Sequence, residues 1–266
     1  MTFYRLSLFL FGIFSVWHVS AASRAGDRLL LPETSISASL RQTPMPELGD
    51  GRLARILSRY YQEALGGPDN WNSISSFKMS GTIRFKEDDF SLNALQRKPN
   101  LIKMTLRHDR RDLVLAYDGT NAWKHAPRSE KAATLMGEDE ARRFILSAQF
   151  GNYLLFPYAE GKDIVYIDTV PIEGKICHQI RVTLDSGFQL DYYIDIRTFL
   201  EIKVENKDLH NNTTNSILYS DYTREHDVAI ARRIESFENG QPVSTILLED
   251  IKINAGVIPW MFTMPR

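Results

Sequence analysis

The chain holds one cysteine, Cys177, in 266 residues. No disulfide can form within it, so stability has to come from a packed core. Cys177 sits inside the strand-like stretch 175–180 and reads as a buried structural thiol. An excess of one charge is also missing. The formal net charge is −1, which leaves no global field to draw the chain to nucleic acid or an anionic surface. The short basic runs at 107–111, 142–143 and 232–233 are interleaved with acids and read as solvated faces. Catalytic and metal-binding signatures are absent too. The six histidines show no His-Glu-x-x-His spacing, and there is no Cys-x-x-Cys pair, nucleophile elbow or phosphate-cradling glycine loop. No metal, no cofactor and no catalytic residue is expected.

Long apolar runs are scarce. Leu6 to Trp17 is the longest and is too short for an ordinary transmembrane helix. It follows Arg5 and precedes small residues at 19–22, the pattern of an export signal over residues 1–21. Residues 22–50 carry Pro32, Pro44 and Pro46 among polar residues without a sustained period. They read as a Pro/Ser-rich disordered extension, and residues 51–266 as the folded domain. This places the protein in an exported compartment, the periplasm.

What the chain has in quantity is period-two alternation. The organising stretch runs from Tyr117 to Trp123. Asp118-Gly119 makes a tight turn between two strands, with a large aromatic just past it. Before it, Phe77, Met79, Gly81, Ile83 and Phe85 alternate with polar residues, as do Phe90, Leu92 and Ala94, then Ile102, Met104 and Leu106. After it come strands around 164–168 and 176–184, then Phe188, Leu190, Tyr192 and Ile194. Leu200, Ile202 and Val204 follow, a polar loop at 207–215, a strand at 217–221 and a last hairpin turning at Asn239-Gly240. Turns are expected at 99–100, at 171–174 and at 185–187. Two segments break this rhythm. Leu53, Ile56, Leu57, Tyr60, Tyr61 and Ala64 fall at helical spacing, ended by Gly66-Gly67-Pro68. Ala141, Phe144, Ile145, Ala148 and Gln149 suit a helix of about three turns, within an insertion over 138–157 laid on the concave side of the sheet. The whole is mainly β (α+β): one strongly curved antiparallel sheet of about ten strands in a meander.

With those residues in hand, the chain resembles the outer-membrane lipoprotein-sorting protein family, the LolA-like superfamily, in its long branch. The residues that carry the resemblance are Tyr60 to Gly67, Ser80-Gly81-Thr82, Lys98-Pro99-Asn100, Tyr117 to Trp123, Asp191 to Asp195 and Ser220-Asp221-Tyr222, in that order, from about Leu53 to Pro265. The resemblance implies an unclosed antiparallel half-barrel of about eleven strands, with an N-terminal helix and a helical lid on its concave side. It implies a periplasmic carrier that holds a lipid or lipoprotein acyl chain in a hydrophobic cavity. Arg84, Arg97 and Lys103 lie in the region where the family carries a lid-locking arginine. On this reading Phe77, Met79, Phe85, Phe90, Met104, Leu115, Tyr117, Trp123, Phe188 and Tyr192 line the cavity, and Phe144, Phe150, Leu154 and Phe156 project from the lid. Gly137, Gly151-Asn152 and Pro157 mark its joints. The implied partners are acyl chains and envelope membrane proteins, with no nucleic acid, and the chain is taken as a monomer. The alternative is an envelope sensor or interaction module built on the same half-barrel, docking a partner through residues 22–50.

Overall fold

The computed structural model describes residues 51–109, 111–128, 131–155 and 162–265. The expected export signal at 1–21, the expected extension at 22–50, Phe156 and Pro157 lie outside the described residues.

Helix α1 (Arg52–Leu65) buries Ile56, Leu57, Tyr60, Tyr61 and Ala64 on one face, as its spacing predicts. Gly66 ends it in the left-handed conformation at φ 73°, donating its N–H to the carbonyl of Tyr61. Pro68 does not stop the helical path. It occupies the first turn of a second helix, α2 (Gly67–Ser73), where its missing N–H has no partner to lose and its fixed φ suits a start.

Among the described residues thirteen strands form one sheet, against the ten or eleven expected. They are β1 (Ser76–Phe85), β2 (Asp88–Arg97), β3 (Leu101–His108), β4 (Arg111–Tyr117), β5 (Ala122–His125), β6 (Thr134–Leu135), β7 (Lys162–Ile172), β8 (Lys175–Leu184), β9 (Phe188–Asp195), β10 (Glu201–Asp208), β11 (Thr213–Glu225), β12 (Val228–Glu238) and β13 (Gln241–Ile253). Their spatial order is β6-β5-β4-β3-β2-β1-β13-β12-β11-β10-β9-β8-β7. Two meanders are therefore joined by one non-sequential pairing, β1 on β13. The sheet does not close: β6 and β7 are its free edges. The chain between those edges carries helix α3 (Glu138–Leu146).

The sheet is strongly curled. One apolar cluster contains Met104 of β3 and Tyr192 of β9, along with α1 and α3. Those strands stand seven ladders apart in the sheet, a distance of roughly 34 Å if it were flat. Only a half-barrel brings them to one core. The opposite face holds smaller clusters, one of Cys177, Tyr193 and Ile202. Cys177 is fully buried, and burial pushes its thiol up to about 11, so it is an inert structural residue as its strand position suggests.

Most turns fall where expected. Asp118 accepts backbone N–H bonds from Thr120 (2.9 Å) and Asn121 (2.7 Å), and Asn239-Gly240 turns with φ 48° and 78°. Two turns are tighter than the sequence suggests. Pro171 and Ile172 belong to β7, and only Glu173-Gly174 turns; Pro171 is tolerated because β7 is an edge. The polar stretch 207–215 is mostly strand, with β10 running to Asp208 and β11 starting at Thr213.

The β1–β13 seam depends on Gly81. The ladder shifts register between Ser80 and Gly81, and there β13 comes so close that a Cβ on Gly81 would meet the Leu247 carbonyl oxygen at 2.0 Å. The contact is backbone, so it cannot rotate away. Gly81→Ala is expected to destabilise the domain by about 3 kcal/mol, read as a lowered urea midpoint, while alanine at the open, left-handed turn Gly174 costs less.

Candidate functional site

The concave face contains a cavity of about 370 Å³, at the small end of ligand sites. Its apolar wall comes from Ala64 and Leu65 of α1, Trp71 of α2, and Phe77 and Met79 of β1. Across from them stand Ile230, Ala231 and Ile234 of β12 and Leu248 of β13. Its remaining boundary is the segment after α3, through Ser147, Gln149, Gly151 and Asn152. The cavity therefore straddles the β1–β13 seam and is roofed by the stretch that links the two free edges of the sheet.

That roof is held at several points. Phe150 stacks on Phe77 at 4.9 Å between ring centroids, nearly parallel, and meets Trp71 at 5.3 Å. Its N–H donates to the Pro99 carbonyl (3.2 Å), and Gln96 donates to the Gln149 carbonyl (3.1 Å). Tyr153 N–H donates to the Tyr192 hydroxyl (3.2 Å), and Asn152 caps its own turn by accepting from Leu154 and Leu155. Helix α3 is tied down by Lys124–Glu140 (2.7 Å) and Arg142–Asp208 (2.6 Å). Asp208 is buried, which pushes its carboxyl up, but hydrogen bonds from Arg142, Asn211 and the His210 N–H outweigh this and hold it low. The basic pair 142–143 is thus not a solvated face: Arg142 carries this ion pair and lies over the Phe188 ring at 4.5 Å, and Arg143 is buried. Arg107, facing Asp112, and Arg233, facing Glu235, fit the solvated reading, whereas Arg232 is largely covered and held by Glu225, Thr223 and the Glu249 carbonyl.

A polar cluster interrupts the apolar wall. Glu201 of β10 faces the cavity and accepts hydrogen bonds at Oε1 from the Tyr60 hydroxyl and from Asn152 (3.2 Å). Asn152 also donates to the Tyr60 hydroxyl, and Tyr222 donates to the Glu201 carbonyl (2.7 Å). Tyr219 and Tyr222 line the same cavity. The residue is half-buried, and desolvation of its carboxyl raises its pKa above the ordinary value despite the bonds from Tyr60 and Asn152. Burial, and then the nearby Glu201, raise the phenols of Tyr60, Tyr219 and Tyr222, so all remain hydroxyl donors.

The sequence pattern misses Glu201 because of a bulge. Simple alternation puts Leu200, Ile202 and Val204 on one face. The β9–β10 ladder instead pairs Glu201 with Ile194 and Lys203 with Tyr193, leaving Ile202 as the extra residue. Ile202 turns to the Cys177 cluster on the far face and Glu201 turns inward. The adjoining tyrosines are legible only as structural residues, Tyr60 on the buried face of the first helix, Tyr219 in the strand at 217–221 and Tyr222 in the motif Ser220-Asp221-Tyr222.

Of the residues expected at the cavity, Phe77 and Met79 line it. Phe85, Phe90, Met104, Leu115, Tyr117, Phe188 and Tyr192 lie in the same concave core, as do Phe144, Phe150 and Leu154 from the α3 region, without lining the open space. Trp123 is a correction. It packs with Val114, Ala116 and Ala133 in a separate cluster, and its indole N–H donates to the Phe262 carbonyl (2.8 Å). The residue before it, Ala122, joins the concave core, and strand alternation sends Trp123 the other way. Arg97 and Lys103 also point to that side, donating to the carbonyls of Val257 (2.7 Å) and Met261 (3.0 Å). Arg84 pairs with Asp89, so none of these three cations locks α3. Among the described residues there is no cluster of potential metal ligands, and no helix is long and apolar enough to cross a membrane.

No family model matches the sequence, and no curated protein matches it. Solved structures do match the fold. One is a domain assigned to the outer membrane lipoprotein-sorting proteins, from Vibrio parahaemolyticus, at 12% identity and TM-score 0.54, over 78% of this chain and 94% of that one. A LolA superfamily protein from Nitrosomonas europaea matches at 12% identity and TM-score 0.56, over 80% and 98%. A DUF1329 family protein from Desulfovibrio piger matches at 9% identity and TM-score 0.58, over 80% and 98%. The chain shares its fold with these three structures, a LolA superfamily protein among them, as the resemblance in its motifs implies.

The raised pKa of Glu201 sets a pH dependence. The folded state holds this proton more tightly than the unfolded chain does. Its contribution is therefore complete below the ordinary glutamate value of 4.5 and is lost as pH rises through the folded value. Glu201→Gln removes that loss. The variant is expected to be more stable than the wild type near neutral pH by about 1 kcal/mol, with the gap closing as the solution is acidified, measured by urea unfolding across pH.

Proposed function

We propose that this chain, which has the fold of the lipoprotein-sorting structures, is a periplasmic carrier for a lipid or lipoprotein acyl chain. Residues 1–21 are its export signal, residues 22–50 an extension and residues 51–266 the carrier domain. The observation that carries the reading is the apolar cavity on the concave face, roofed by a segment whose own apolar side chains occupy the neighbouring space. An acyl chain gains about 0.8 kcal/mol for each methylene buried, so one chain can offset a few kcal/mol spent on displacing the roof. Binding and release need no bond to be made or broken, and the reading is of a non-enzymatic carrier, monomeric, exchanging cargo with envelope membrane proteins.

The binding surface comprises the lining residues Phe77 and Met79 together with the concave core of Phe85, Phe90, Met104, Leu115, Tyr117, Phe188 and Tyr192. Phe144, Phe150 and Leu154 act as the plug that an acyl chain displaces. Purified from the cell envelope, the protein is expected to release acyl species on extraction and to take up a fluorescent fatty acid. Ala231→Phe, which fills the cavity from β12, is expected to weaken that uptake at least tenfold with the fold retained by circular dichroism. Absence of both extracted acyl species and uptake overturns the proposal.

The plug makes a second prediction. Helix α3 packs against β5, and the native thiol is inert to mild oxidation, so a disulfide engineered between α3 and β5 can be formed selectively. The oxidised protein is expected to lose acyl binding and the reduced one to regain it. Equal binding in both forms makes residues 138–155 fixed scaffold.

A further inference from the structure

The cavity has a chemical polarity that its apolar wall does not account for. Glu201 is the one carboxylate among the lining residues, which include no lysine, arginine or histidine. Both side-chain donors to this carboxylate, Tyr60 and Asn152, reach Oε1, and among the described residues nothing donates to Oε2. Lys98, a cation beside the wall, is already engaged. It donates to the Trp71 carbonyl and lies over the Trp71 and Phe150 rings at 4.8 and 5.5 Å.

A site with one acceptor-only group and no cation selects its ligand by the ligand's polar end. A carboxylate or phosphate placed here meets a like charge with no counter-ion, in surroundings where charge is weakly screened. An ammonium group meets a carboxylate with a free oxygen. A hydroxyl can donate to the same oxygen without gaining the charge pairing. Each alternative to a donor head leaves Glu201 either unpaired or repelled.

We infer that the cavity takes an amphiphile with a cationic amine at the end that enters, paired to Glu201 beneath Tyr60 and Asn152. This rests on the acyl-chain reading of the same cavity and specifies the ligand's polar end. Tyr60 and Asn152 are then positioning residues, which fix the carboxylate by its first oxygen and leave the second for the ligand.

The test uses the full mature chain and three probes of equal length, dodecylamine, dodecanol and dodecanoic acid, each competing against a fluorescent reporter bound in the cavity. Wild-type protein is expected to bind the amine at least about tenfold more tightly than the acid, with the alcohol between. In Glu201→Gln the amine and acid are expected to converge, while the alcohol keeps its affinity. The rank order in the wild type is decisive without the variant, and unfolding curves check that the variant is folded. If the three probes bind alike, or the acid binds most tightly, the head-group inference is overturned and the acyl reading stands. If the preference for amine survives Glu201→Gln, it arises elsewhere and the assignment to Glu201 is wrong. If none of the three binds and the reporter is not taken up, the acyl reading itself fails, and this inference with it.

Discussion

The pairing of β1 with β13 is the constraint on which the rest of the structure depends. It is the one ladder in the sheet that joins strands distant in sequence. Without it the chain would be two separate meanders, each with an unpaired edge and an apolar face too small to enclose anything. Making it brings the start and end of the domain together in the middle of the sheet and pushes the middle of the chain to the two free edges. The cost is concentrated at a bulge, where the backbone of β13 approaches within the volume of a side chain. Glycine at 81 is the residue that permits this.

The position of the cavity follows from that topology. Curling a thirteen-strand sheet around one core leaves more concave surface than sheet side chains alone can fill. The chain must also travel from β6 to β7, between the free edges, and the short path lies over that surface. Helix α3 and the segment to Leu155 are therefore placed by connectivity on the space that needs covering. Phe144, Phe150 and Leu154 fill most of it and what remains is the cavity. The same elements that complete the core are those a ligand would have to move. Their attachments, Arg142–Asp208, Lys124–Glu140 and the stacked pair of Phe150 and Phe77, are local contacts rather than sheet ladders, so they can part without opening the sheet.

Glu201 shows a second level of control. A single extra residue in β10 exchanges which side chain faces the core, and the result is a carboxylate in a mostly apolar wall. Burying it costs free energy unless it is partnered. Tyr60 of α1 and Asn152 of the segment after α3 donate to the carboxylate, and Tyr222 of β11 donates to the backbone carbonyl of the same residue. The polar cluster thus ties three elements of the half-barrel to one another at the edge of the cavity.

Much of this was legible in the sequence, for a definable reason. Alternation in β1, β2 and β3, helical spacing from Leu53 to Ala64, and turn chemistry at Asp118-Gly119 and Asn239-Gly240 are local properties, fixed by backbone sterics and by which face of an element is apolar. They determined the class of the fold, the position of most strands and the residues of the concave core, including Phe77 and Met79 at the cavity itself. What they could not determine depends on contacts between residues far apart in the chain. Pro68 begins a helix rather than ending one, and that helix is held from afar, by Asn70 donating to the His226 carbonyl and Lys98 to the Trp71 carbonyl. Trp123, on the face away from the cavity, is buried rather than exposed because the end of the chain returns to cover it. Arg142 is an anchor because β10 brings Asp208 beneath it. Glu201 points inward because β9 and β10 pair out of step. Alternation specifies that a strand has two faces, but only the pairing of strands decides which residue is turned to which.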